Sequence, residues 1–100
     1  MALACLAGET GLKVGSEWVL SLNYKVAPDA LMAHVKAELR PQSGESDDAL
    51  LVRYFKKNGI EIKSPEYISL NKNAQLLFIQ ATQSHVARIE PLILKFAKVH

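Results

Sequence analysis

Residues 17–26 are Glu17-Trp-Val-Leu-Ser-Leu-Asn-Tyr-Lys-Val26, and they carry a clear strand pattern. Trp18, Leu20, Leu22, Tyr24 and Val26 alternate with their neighbours, most of which are polar, which is the period of two expected of a half-buried β-strand. Ala27-Pro28-Asp29 follows, and proline both ends a strand and suits the first turn of a helix. The sequence therefore predicts a strand that leads directly into a helix.

Two helices are predicted after this strand. The first carries an apolar stripe over residues 31–39 and ends before Pro41. The second begins after Ser46, because a serine hydroxyl can accept a hydrogen bond from the free amides of the first helical turn. Asn58-Gly59 ends it, since glycine readily adopts the left-handed conformation that closes a helix.

A β-hairpin is predicted next. Residues 60–70 favour one strand interrupted near Pro65, residues 71–73 favour a turn, and residues 75–81 favour a second, buried strand. Two such runs separated by a short polar turn are typical of antiparallel neighbours.

A last helix follows, and Thr82 is predicted to cap it. Its apolar spacing continues through Pro91, although proline in a helix interior removes a backbone hydrogen bond and costs about 3 kcal/mol. We therefore expect a kink or break at residues 87–90.

The order β-α-β-β-α predicts the α+β class, with a small three-stranded sheet and helices packed on one face. Residues 16–100 form the single domain, and residues 1–15 form an N-terminal segment that ends an upstream element. Leu3, Leu6 and Ala7 ahead of Gly8 favour the last turns of a helix there. One core is predicted, made of Trp18, Leu20, Leu22, Leu51, Phe55, Phe78, Val86, Ile89 and Ile93.

Composition limits the classes of function. The chain has 100 residues, enough for one hydrophobic core, and its net charge of +2 comes from 12 basic and 10 acidic side chains. This small imbalance is unlike the dense positive field of nucleic-acid binders. Cys5 is the only cysteine, so no internal disulfide is possible. No apolar run approaches the roughly 20 residues of a membrane span, and an exported parent protein would carry its signal upstream of residue 1.

The motifs of known catalytic and metal sites are missing. His34, His85 and His100 lie far apart in the sequence and near no acidic or cysteine cluster at ligand spacing. Asp47 and Asp48 are adjacent, so on a helix they diverge by roughly 100° and serve better as charges at a helix start. Phosphate-binding glycine loops and nucleophile motifs are also absent. The sequence predicts a domain that is not an enzyme, with no cofactor and no bound metal.

A resemblance adds to these observations. A module of planctomycete and verrucomicrobial proteins is similar to this chain at Gly59-Ile-Glu-Ile-Lys-Ser-Pro65, Leu70-Asn71, residues 75–82 and Ile89-Glu90. Residues 24–31 resemble the segment that opens the module, and residues 6–14 resemble the end of the short N-terminal module of secretins and TonB-dependent proteins. The chain departs from the pattern at His85, where the module has asparagine, and at Pro91.

The resemblance to secretin N-domains implies a non-catalytic assembly or docking domain of an exported, periplasmic bacterial protein. Its partner would be protein, either copies of itself in a ring or a neighbouring domain. An exposed sheet edge readily accepts another strand, so residues 60–70 and the adjacent helix end are the expected surface. The candidate interface residues are Arg53, Lys56, Lys57, Glu61, Lys63 and Tyr67.

The alternative is a small nucleic-acid-binding domain of the KH or RRM type. Arg53, Lys56 and Lys57 form a basic cluster at a helix end. However, lysines there also suit the helix dipole, the Gly-x-x-Gly clamp of KH domains is missing, and no strand shows the paired exposed aromatics that stack on bases. Protein binding is therefore the preferred hypothesis.

Overall fold

A computed structural model of the chain describes the backbone of residues 4–97 and the side chains of residues 11–97. The elements in chain order are β1 (Ala4–Val14), β2 (Glu17–Lys25), α1 (Pro28–Glu38), α2 (Asp47–Lys57), β3 (Tyr67–Asn71), β4 (Leu76–Thr82), α3 (Gln83–Ile93) and a 3-10 turn (Leu94–Phe96). The predicted α+β class is confirmed. None of the helices in this described part combines the length and apolar character that crossing a membrane requires.

The four strands form one antiparallel sheet in the order β1-β2-β4-β3, rather than the predicted three-stranded sheet. The extra strand is β1, so the prediction of a helix end near Gly8 is wrong, and Leu3 lies outside the described residues. β1 pairs with β2 across the two-residue turn of Gly15 and Ser16. Gly15 has a φ of 61°, which suits the first position of such a turn.

The predicted strand over residues 60–70 is only half correct. Tyr67–Asn71 forms β3, but Ile60 to Lys63 belongs to no strand. Ile60 is buried, and its amide donates to the Phe55 carbonyl at the end of α2. The alternation of apolar and polar residues at positions 60–63 therefore reflects a connecting segment that packs against the core.

The predicted boundaries of α2 and the predicted start of α3 are confirmed. The Ser46 hydroxyl accepts from the Ala49 amide at 3.1 Å, and Gly59 adopts a φ of 84°. The Thr82 hydroxyl accepts from the His85 amide at 3.4 Å. The expected break at residues 87–90 is not seen, because α3 continues to Ile93 with Pro91 inside it. Pro91 lies on the exposed side of α3, close to the helix end.

The core lies between one face of the sheet and the three helices. It includes six of the nine predicted residues: Leu22, Leu51, Phe55, Val86, Ile89 and Ile93. Leu20 packs against this core and is partly buried. Trp18 and Phe78 were assigned to it wrongly. Trp18 is 45% exposed near the β1–β2 turn, and Phe78 is only partly buried on the opposite face of the sheet.

Two tyrosine contacts join elements of the fold, one between the sheet and a helix and one between two helices. The Tyr24 hydroxyl donates to a Glu90 carboxylate oxygen at 2.9 Å, which joins β2 to α3, and burial raises the pKa of Tyr24. Tyr54 on α2 lies 3.2 Å from His34 Nε2 on α1. The opposite face of the sheet carries no helix of the described chain.

Candidate functional site

Arg53, the centre of the predicted basic cluster, is held by neighbouring groups. Its Nε and Nη2 donate to the two Glu45 carboxylate oxygens at 2.6 and 2.8 Å, and Nη2 also donates to the Arg40 carbonyl at 2.8 Å. A bidentate contact of this kind fixes both partners in one geometry. Arg53 therefore anchors the loop between α1 and α2, and its charge is largely compensated.

Two of the other charged candidates, Lys57 and Lys63, lie near acidic side chains. Lys57 lies 3.4 Å from a Glu38 oxygen, and Lys63 lies 3.6 Å from a Glu61 oxygen. Lys56 is exposed on the last turn of α2. Tyr67, the remaining candidate, begins β3 and lies on the sheet face that the helices leave open. Among the contacts of the described residues, Glu61 and Lys63 are the pair of candidates that the structure brings together.

We expect the Glu45–Arg53 contact to make the stability of the fold vary with pH in the acid range. Hydrogen bonds from Arg53, followed by that from the Gln42 amide, lower the pKa of Glu45 from its ordinary 4.5 to about 2. Because the folded-state pKa is the lower one, this stabilisation is complete above pH 4.5 and is lost as pH falls towards 2. The Tm of Glu45→Gln should be below that of the native chain at neutral pH, and the difference should vanish on acidification.

The matched control for this experiment is Glu61→Gln, which removes an exposed carboxylate that does not contact Arg53. Melting curves of the native chain, Glu45→Gln and Glu61→Gln across the acid range test this prediction. A Tm difference for Glu45→Gln that stays constant down to pH 2 would contradict the assigned contact.

The free edge of β3 is partly occupied. Asp48 Oδ1, in the first turn of α2, accepts from the Leu70 amide at 2.8 Å, so that amide is no longer available to an added strand. Natural sheets commonly protect their edges by covering them or by placing charge there. The predicted docking edge at residues 60–70 is therefore short, blocked at Leu70, and irregular before Tyr67.

The other edge of the sheet is β1, a strand of 11 residues that pairs only with β2 in the described chain. Its end carries exposed apolar side chains, with Leu12 at 41%, Val14 at 40% and Trp18 of the adjoining β2 at 45% exposure. The Lys13 ammonium lies 4.5 Å from the Trp18 ring centre. Sequence reasoning missed this surface because it placed residues 1–15 outside the sheet.

The open sheet face carries an aromatic pair that sequence reasoning also missed. The rings of Tyr67 on β3 and Phe78 on β4 lie with centres 5.3 Å apart and planes inclined by 42°. Around them is a groove of about 280 Å³ that is also lined by Asn23, Ser69, Asn71 and Leu76. The apolar run in β4 gave no signal about which side chains would lie on this face.

A buried carboxylate joins three elements near a second cavity of about 310 Å³. Glu66 is 5% exposed, and one of its oxygens accepts from the Thr82 amide at 2.9 Å and lies 2.7 Å from His85 Nδ1. Ser64 lines the same cavity, but within residues 11–97 no hydrogen bond joins it to His85. The contacts of Glu66 connect the segment before β3 to the β4–α3 junction.

The two described histidines, His34 and His85, contact neighbouring side chains and belong to no cluster of metal ligands among the described residues. His34 contacts Glu38, Tyr54 and Phe96, and His85 contacts Glu66. Among the described residues, no group of three or more histidine, cysteine or acidic side chains is placed to hold a metal ion. His100 lies outside the described residues.

Comparison of the chain with protein-family models, with curated proteins and with solved structures gave no match.

Proposed function

We propose that this chain is a non-catalytic protein-binding module that associates with protein through the free edge of β1. The observation that carries the proposal is the difference between the two edges of the sheet. The β3 edge is five residues long and its Leu70 amide is bound by Asp48. β1 has 11 residues and pairs only with β2 in the described chain, with register shifts between Ala4 and Leu6 and between Glu9 and Lys13. Strand addition uses the backbone groups along the edge of a sheet, so the longer edge is the better candidate.

Exposed apolar side chains at the end of β1 support the same surface. Leu12, Val14 and Trp18 are three of the five large hydrophobic residues that are exposed in the described chain. They flank the edge on both faces of the sheet, because Trp18 pairs with Lys13 on one face and Val14 pairs with Glu17 on the other. In strand addition the backbone hydrogen bonds give affinity and the side chains next to the edge give specificity. The partner is a second copy or a neighbouring domain, and the resemblance to secretin N-domains supports the hypothesis of an exported, periplasmic parent protein.

Nucleic-acid binding remains the alternative, but the described contacts weigh against it. Arg53 is bound to Glu45, Lys57 lies beside Glu38, and phosphate binding needs cations that are available to the ligand. A titration with labelled DNA and RNA at physiological salt tests this alternative directly. Submicromolar affinity that is lost in Lys56→Ala/Lys57→Ala would favour it over protein binding.

We expect Leu12→Lys/Val14→Lys to weaken association by about tenfold or more, because two charges placed beside an edge oppose strand addition. Both side chains are substantially exposed, so the Tm should change little. Sedimentation of the native chain should show a mass above 11.0 kDa as concentration rises, and the variant should remain nearer to that mass.

The matched control is Leu94→Lys, which places one such charge on an apolar residue of similar exposure outside the sheet. It should associate as the native chain does. Crosslinking in the parent cell, repeated with both variants, identifies a partner other than a second copy. A native chain that stays monomeric and crosslinks to no protein would disprove the proposal.

A further inference from the structure

The groove on the open sheet face is built from three adjacent strands. Asn23 of β2 lies directly across from Phe78 of β4, and Phe78 lies directly across from Ser69 of β3. Tyr67 and Asn71 are two positions from Ser69 on either side and therefore share its face. The backbone hydrogen bonds of the sheet hold these groups in place, so binding would require little ordering of the chain.

The aromatic pair gives the groove an apolar platform. Tyr67 is 50% exposed, and its ring lies 5.3 Å from that of Phe78. Aromatic ring faces carry partial negative charge, so they attract the weakly positive hydrogens of aliphatic C–H groups as well as excluding water. A ligand ring with one C–H-rich face fits this platform.

The polar groups around the platform are uncharged. Asn71 Oδ1 accepts from the Ala74 amide at 3.0 Å, which leaves its amide nitrogen as a donor. The side chains of Asn23 and Ser69 make no hydrogen bond to another side chain or loop amide within residues 11–97. They offer both donors and acceptors, and a ligand rich in hydroxyl groups can satisfy both kinds.

Charge narrows the class of ligand. None of the six residues that line the groove is acidic or basic. Lys25 lies on the same face, across from Leu76, while Lys72 at the nearby turn is 2.6 Å from Asp47. A nucleic-acid strand would bring a phosphate with every base and would need several cations beside the groove. A proline-rich peptide would offer carbonyl acceptors but few donors for the Asn23 oxygen.

We propose that this groove binds a neutral sugar ring of an oligosaccharide, with the ring stacked on Tyr67 and Phe78 and its hydroxyls bonded to Asn23, Ser69 and Asn71. The volume of about 280 Å³ is near the lower limit of ligand sites, roughly 300 Å³, which suits one ring of a longer chain. This site is separate from the β1 edge, so it can be correct whether or not the chain binds protein there.

The test is an NMR titration of the ¹⁵N-labelled chain with neutral hexasaccharides of glucose, N-acetylglucosamine, xylose, mannose and galactose, each added separately. At least one should shift the amides of Tyr67, Ser69 and Phe78. Tyr67→Ala should weaken that binding by about tenfold, the scale of one lost ring contact. Leu94→Ala removes an apolar side chain with the same exposure as Tyr67 outside the groove and should leave binding unchanged.

Two further probes test the competing ligand classes, nucleic acid and proline-rich peptide. Oligothymidylate and a proline decapeptide are titrated under the same conditions. If either shifts the groove residues while no hexasaccharide does, the proposal is overturned in favour of that ligand. If no hexasaccharide shifts them, or if Tyr67→Ala and Leu94→Ala bind equally well, the proposal is also overturned. Asn23→Ala is a second variant that should weaken binding without removing an aromatic ring.

Discussion

Phe55→Ala should lower the free energy of unfolding by about 4 kcal/mol, the typical loss when a buried phenylalanine is truncated. The Phe55 ring is fully buried in the core between α2 and the sheet, and its carbonyl accepts from the Ile60 amide. Truncation leaves a cavity that the surrounding helices can fill only in part. Urea denaturation followed by circular dichroism measures the loss.

Phe78→Ala is the matched control, because Phe78 is partly exposed on the open sheet face. Its expected loss is about 1 kcal/mol, in proportion to the smaller apolar area that it buries. Should Phe55→Ala fail to fold, Phe55→Leu gives a milder change of about 1 kcal/mol at the same site. Equal losses at Phe55 and Phe78 would show that the two faces of the sheet are assigned incorrectly.

Glu66→Ala should be the second most damaging substitution, with a loss of about 3 kcal/mol. It removes the acceptor for the buried Thr82 amide and the partner of His85 in one step. An amide that stays buried without a partner loses its hydrogen bond to water as well, which is why the cost exceeds that of one ordinary hydrogen bond.

Glu61→Ala is the control for this second substitution, since Glu61 lines the same cavity but is exposed. Glu61→Ala should change the free energy of unfolding by no more than about 0.5 kcal/mol. The loss of stability for His85→Ala should lie between those for Glu66→Ala and Glu61→Ala, because Glu66 still accepts the hydrogen bond from the Thr82 amide. Denaturation midpoints of the three variants test this ranking, and a Glu66→Ala protein as stable as Glu61→Ala would show that the contacts of Glu66 are wrongly assigned.

Sequence patterns predicted the elements that depend mainly on residues close together in the chain. The alternation in residues 17–26 identified β2, and Ser46 and Gly59 marked the ends of α2 because capping needs only neighbouring backbone groups. β1 was missed because its register depends on β2 and its sequence is rich in alanine and glycine. The alternation of Ile60 and Ile62 was misleading, since burial in a connecting segment can produce the same pattern.

The candidate sites were harder to predict because they depend on contacts between distant residues. The partners of Arg53 are Glu45 and the Arg40 carbonyl, and the conformation of a loop decides whether they meet. The aromatic pair required knowing that Phe78 lies on the face without helices. A run of apolar residues such as that in β4 does not reveal which of its alternating side chains the helices will cover.

The hydrogen bond from the Leu70 amide to Asp48 limits how copies of this chain could join through their sheets. A ring made by sheet pairing needs two different edges on each copy, so that the β1 edge of one meets the β3 edge of the next. With the β3 edge obstructed, pairing of β1 with β1 about a two-fold axis is the remaining arrangement. That contact uses the same edge on both copies, so growth stops at a dimer and an open-ended fibre cannot form by this route.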